Sequence, residues 1–114
     1  MNKDICQEEY LLKFFKSFFA QRNNIGLMDS SLTKFQNLEV LNLSNNRIVK
    51  VENLPPRLRE LNLSNNLITE LELLRNPLTS LIHIGLSYNK IENQTLVTIQ
   101  KNFPNLFCID LSFN

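Results

Sequence analysis

Leu41-Asn42-Leu43-Ser44-Asn45-Asn46 recurs unchanged, twenty residues later, as Leu61-Asn62-Leu63-Ser64-Asn65-Asn66. Extended outward, the string becomes the pattern L-x-x-L-x-L-x-x-N, found four times. The copies are Leu38, Leu41, Leu43, Asn46; Leu58, Leu61, Leu63, Asn66; Leu81, Ile84, Leu86, Asn89; and Leu106, Ile109, Leu111, Asn114. All sixteen anchor positions fit, with Leu/Ile exchange alone, and Ile48, Ile68 and Ile91 follow two residues after the first three asparagines. Spacings of 20, 23 and 25 residues between copies fall in the range of solenoid repeats, whose units must stack to bury a common core.

Each position has a physical reason. Alternating L-x-L is a short strand with one face inward, and the Leu three residues earlier packs into the same interior. Stacked copies make a parallel sheet backed by a column of leucines. The turn after each strand buries backbone amides and carbonyls, which a carboxamide satisfies as both donor and acceptor. Asn46, Asn66, Asn89 and Asn114 are therefore read as a structural ladder. The composition agrees: 21 Leu and 17 Asn among 114 residues supply many short apolar rows and many turns, with only 2 Gly and no Trp. Of three N-x-S/T sequons, at Asn42, Asn62 and Asn93, the first two lie inside the repeated string, where a structural role is the simpler explanation.

The connectors differ. Val49–Pro56, with paired prolines, favours an extended or 3₁₀ path. Thr69–Pro77, carrying Leu71, Leu73 and Leu74, reads as one tight helical turn. Asn93–Asn102 places Leu96, Val97 and Ile99 for a short helix ended near Pro104. Ahead of the repeats, residues 4–22 read as an amphipathic helix, with Asp4 as N-cap and a stripe of Leu11, Leu12, Phe14, Phe15, Phe18 and Phe19. The reading divides the chain into a capping segment over residues 1–24, a degenerate opening coil over 25–37, and repeats over 38–114. The last span holds three full repeats and the start of a fourth. With Asn114 on a ladder position, the array is expected to be a fragment of a longer one. The fold class is an α/β solenoid with its parallel sheet on the concave face and a capping helix at the N-terminus.

Chemistry is thinly supplied. The single histidine, His83, has no catalytic neighbour in the pattern, and no His/Cys/Asp metal cluster, G-x-S-x-G or P-loop occurs. No catalytic residue, metal or cofactor is expected. Lys and Arg number 12 against 11 Asp and Glu, which argues against nucleic acid or a polybasic membrane contact, and no run approaches the roughly 18 apolar residues of a membrane span. Cys6 and Cys108 show no C-x-x-C spacing, and Lys13 and Lys16 interrupt the apolar N-terminal stretch, so a reducing compartment is expected. Binding suits the geometry better. The outward strand positions are Val40 and Asn42, Glu60 and Asn62, His83 and Gly85, Cys108 and Asp110, with Ser44, Ser64, Ser87 and Ser112 extending the row. Tyr88 and Phe113 sit just before their ladder asparagines. The strip suits a protein partner, with no small-molecule substrate.

The L-x-x-L-x-L-x-x-N-x-I units over 38–114 resemble the intracellular leucine-rich-repeat superfamily. The resemblance implies a non-enzymatic interaction protein of the cytoplasm, with a connection to motile cilia. Related arrays also serve as regulatory subunits of phosphatases or dynein motors. A targeting role for an enzyme whose catalytic part lies elsewhere is the remaining alternative.

Overall fold

The computed structural model describes residues 14–114. Five three-residue strands form one parallel sheet: β1 Ser17–Phe19, β2 Val40–Asn42, β4 Glu60–Asn62, β6 His83–Gly85 and β7 Cys108–Asp110, in spatial order β1-β2-β4-β6-β7. A second, two-stranded sheet on the opposite side pairs β3 Lys50–Val51 with β5 Glu70–Leu71. The 3₁₀ segment Ser30–Lys34, capped by Asp29 through the Ser31 amide, and helix α1, Asn93–Asn102, complete the convex side. The described body measures 48 × 29 × 20 Å.

Strand register follows the repeat. Leu41 aligns with Leu61, Leu61 with Ile84, and Ile84 with Ile109. Leu38, Leu41, Ile48, Leu58, Leu63, Ile68, Leu81 and Leu86 are fully buried, and Leu43 and Leu61 nearly so. Period-two alternation sends these side chains inward and leaves their neighbours on the open face. The row weakens in the last coil, where Ile109 is exposed and Leu106 and Leu111 are half-buried.

The asparagine ladder has one geometry throughout. The Asn66 Nδ2 donates to the Leu43 carbonyl of the preceding coil and the Leu63 carbonyl of its own, both at 3.0 Å, while its Oδ1 accepts from the Ile48 amide at 3.0 Å. Asn89 repeats this with Leu63, Leu86 and the Ile68 amide, and Asn114 with Leu86, Leu111 and the Ile91 amide. Asn46 does so with Ala20, Leu43 and the Ile25 amide. Asn46, Asn66 and Asn89 are buried. The residue before each is in the left-handed region, with φ of 57° at Asn45, 55° at Asn65, 55° at Tyr88 and 60° at Phe113.

Two expectations need correction. The helix expected over residues 4–22 does not run through its described part: Ser17–Phe19 is a strand, aligned with Val40–Asn42. Residues 4–13 lie outside the described residues. Phe15, Phe18, Ala20, Asn23 and Ile25 occupy the positions of Leu38, Leu41, Leu43, Asn46 and Ile48, and Arg22, at φ 61°, stands where the other coils turn left-handed. The opening coil thus begins at Phe15 rather than residue 25. Paired phenylalanines fit a helical stripe and a strand equally well; parallel pairing with β2 decides between them. Phe18 turns inward onto Phe35, ring centroids 5.3 Å apart, while Phe19 faces out and is exposed.

The second connector holds no helical turn. Glu70–Leu71 extends alongside Lys50–Val51, since a strand can share hydrogen bonds with the neighbouring coil and a lone helical turn cannot. The helix expected at Asn93–Asn102 is present. It is fastened through buried Asn102, whose Nδ2 donates to the Glu72 carbonyl at 2.7 Å and whose Oδ1 accepts from the Leu74 amide at 2.8 Å.

Removing a ladder carboxamide strands several buried backbone groups at once, each costing on the order of 1–3 kcal/mol. Asn66→Ala is expected to destabilise the array by about 2–4 kcal/mol, and Leu61→Ala by a similar 2–5 kcal/mol through the cavity it leaves. Denaturant unfolding followed by circular dichroism measures both; an Asn66→Ala loss below roughly 1 kcal/mol contradicts the ladder's role.

Candidate functional site

The sheet's open face carries two aligned rows of side chains. One runs Ser17, Val40, Glu60, His83, Cys108; the other runs Phe19, Asn42, Asn62, Gly85, Asp110. All of them but Ser17 line a shallow depression of about 500 Å³, floored by Leu41, Leu61 and Ile84 and extended by Ser64 and Ser87. All eight outward strand positions read from the sequence meet there: Val40, Asn42, Glu60, Asn62, His83, Gly85, Cys108 and Asp110. Tyr88 does not. It stands outside the lining, 54% exposed, with its ring stacked on Phe113 at a centroid distance of 4.4 Å and an interplanar angle of 12°.

Phe19 also belongs to the face, whereas the sequence pattern puts it in the apolar stripe of the expected N-terminal helix. Its signal is the pattern F-x-x-F-x-A-x-x-N-x-I over residues 15–25, in which no leucine appears.

Three side chains of the row from Phe19 to Asp110 are held by the ends of their own strands. Asn42 Oδ1 accepts from the Ser44 hydroxyl at 2.7 Å and the Ser44 amide at 3.0 Å, and Asn62 repeats both bonds with Ser64. Asp110 does the same with Ser112. These Asx-turns end the strands and fix the side chains without help from neighbours. The Ser112 hydroxyl, and then its amide, hold the Asp110 carboxyl below its ordinary pKa, because both bonds favour the charged form. Asn42 and Asn62 thus have structural work inside the sequons. Tyr88 and Phe113 hold the left-handed backbone that the two preceding coils assign to Asn45 and Asn65, a residue type that tolerates it better. The Asn65 Nδ2 donates to Asn45 Oδ1 at 2.6 Å, so the rim changes from an amide pair to an aromatic pair along the array.

Among the described residues no group of three or more His, Cys, Asp or Glu side chains is placed to hold a metal ion, and no described helix is long and apolar enough to cross a membrane. His83 and Cys108 are register neighbours, and the Cys108 thiol is free and exposed.

The coil geometry has a counterpart in known proteins. A model of leucine-rich repeats in two copies matches residues 56–98, and a single leucine-rich-repeat model matches residues 37–56. The chain belongs to the leucine-rich-repeat family. Within that family it is similar to human leucine-rich repeat-containing protein 43, 38% identical over 112 residues that cover 94% of this chain and 17% of that protein. Its similarity to the mouse protein of the same name is 36% over 118 residues, 99% of this chain and 18% of that protein. The chain therefore spans less than a fifth of the length of these relatives. The repeats over 37–98 are those the family models recognise, while the opening coil built on Phe15, Phe18 and Ala20 lies outside them.

The Asp110 carboxyl is expected to titrate below the ordinary aspartate range in carbon-detected NMR, and Ser112→Ala to move it back up. Its folded value is lower than its unfolded value, so the stabilising contribution is complete above the unfolded pKa. It is lost as pH falls through the folded pKa. An unchanged Asp110 titration in Ser112→Ala refutes the assignment.

Proposed function

We propose that this leucine-rich-repeat array is a non-enzymatic interaction module that takes a protein partner on its concave face. The observation that carries this reading is the pre-formed strip itself. Two rows of outward positions are aligned by strand register. Asn42, Asn62 and Asp110 are held by Asx-turns, so little of their side-chain entropy remains to be lost on binding. Protein-binding use is what the family supports; the concave location rests on the depression and on the rim aromatics. Tyr88 and Phe113 offer a large stacked apolar surface beside it, the kind of residue that anchors interfaces. The resemblance to leucine-rich repeat-containing protein 43 extends the proposal to a cytoplasmic scaffold within a cilium-related assembly.

The test is affinity purification of the protein in wild-type form and with Glu60→Lys plus His83→Glu. Both changes lie on exposed or half-buried outward positions and leave the leucine column intact. Partners that depend on the concave face should fall at least about ten-fold in recovery, as expected for charge reversal at a contact. Equal recovery with both proteins rules out the concave location. Imaging of the tagged protein in ciliated cells tests the placement; uniform exclusion from cilia and basal bodies contradicts it.

A further inference from the structure

Gly85 interrupts a row that is otherwise filled. Its register neighbours are Asn62 on one side and Asp110 on the other, with Asn42 one strand beyond. In each of those three coils the side chain is bonded by the serine two residues on. Ser87 holds that serine position in the Gly85 coil and has no side chain there to bond. The backbone does not demand glycine, since Gly85 does not adopt a positive φ. A Cβ at Gly85 would lie 3.2 Å from Asn62 Oδ1, so an amide oxygen overhangs the gap. The result is a notch in the floor of the depression, edged by oxygen acceptors.

The charge around the notch has one sign. Glu60 and Asp110 line the depression and no lysine or arginine does. Arg59, one residue before β4, lies outside the lining, and Lys16 is paired with Glu39 at 3.6 Å. His83 is the one further titratable nitrogen on the floor. Both Ser112 bonds fall on Asp110 Oδ1, leaving Oδ2 open. The chain as a whole carries a net charge of +1, so this acidity is local and does not attract cations to the protein at large.

We propose that the partner segment inserts a lysine or arginine side chain into the notch at Gly85, against the Asp110 carboxylate and with Glu60 in the neighbouring row of the same depression. The inference rests on the concave-face reading above and deepens it. A cationic head would meet the Asp110 carboxylate, the Asn62 amide oxygen and the Ser87 hydroxyl oxygen, while its aliphatic stem lies along the strip. An acidic or wholly apolar anchor fits less well at this point, because it would desolvate the Asp110 carboxylate with its Oδ2 unpaired.

The experiment uses the 114-residue chain, immobilised and challenged with a displayed library of random dodecapeptides. Enriched peptides are then synthesised and titrated calorimetrically against the wild type, Gly85→Asn, Asp110→Asn and Val40→Arg. Gly85→Asn copies the residue of the two preceding coils and gives Ser87 its missing acceptor, while its Cβ presses on Asn62 Oδ1 at 3.2 Å. Its thermal midpoint is measured alongside, so that loss of fold is told apart from loss of binding. Asp110→Asn keeps the Ser112 bonds and removes only the charge. Val40→Arg obstructs the face two strands away from the notch. The expected result is a fixed Lys or Arg in the enriched sequences, with affinity falling at least about ten-fold in both Gly85→Asn and Asp110→Asn. Peptides that Val40→Arg weakens but that carry no fixed basic residue, or that bind Gly85→Asn undiminished, overturn the notch and leave the concave-face reading standing. Peptides that bind Val40→Arg as well as wild type, or a selection without enrichment, count against both.

Discussion

Beside the strand pairing, each described coil from β2 onward reaches back to the one before it through one ladder carboxamide. The ladder asparagine is small enough to turn inside a tight corner, and it presents a donor and an acceptor on one planar group. From the buried corner it satisfies carbonyls of two coils and an amide of the earlier one. Without it the leucine column could not be continuous, since the corners closing each strand would bury unpaired backbone. Aspartate lacks the donor and serine lacks the reach. The strand spacing, the in-register leucines and the flat rows of the open face all inherit their alignment from this contact.

Alignment is also what makes the concave surface usable. Side chains two residues apart on one strand and those opposite them on the next stand at fixed separations, so the face is a grid rather than a set of loops. Differences in coil length, from 20 to 25 residues, are absorbed on the convex side, as two extended segments, a 3₁₀ stretch and one helix. The grid is undisturbed by them. Its individuality lies in what the grid points carry: a glycine where amides are the rule, carboxylates at two points, and paired rings at the edge.

Much of this was legible in the residues. Identical strings at Leu41 and Leu61 fix register, the ladder and the inward column, because leucine burial and the asparagine corner leave almost no other use for that spacing. Helix α1 was legible from Leu96, Val97 and Ile99 before Pro104. The opening coil was not, since phenylalanine and alanine replace its leucines and the doubled aromatics mimic a helical stripe. Its strand depends on β2 as a neighbour, which is long-range information. The second connector failed for the same reason, as Glu70–Leu71 extends to pair with Lys50–Val51. The outward residues could be assigned to the face from alternation alone. That Tyr88 stands beside the depression, stacked on Phe113, depends on a left-handed turn that leucine spacing does not encode.

The ladder also gives the molecule a direction in time. Each asparagine reaches back to the coil before it: the Ile25 amide is met by Asn46, the Ile48 amide by Asn66, the Ile68 amide by Asn89 and the Ile91 amide by Asn114. A corner is therefore completed only when a residue 18 to 23 positions later has left the ribosome. At every stage of synthesis the newest corner stays open while the one before it is sealed. A change in one coil's asparagine therefore falls first on the corner of its predecessor.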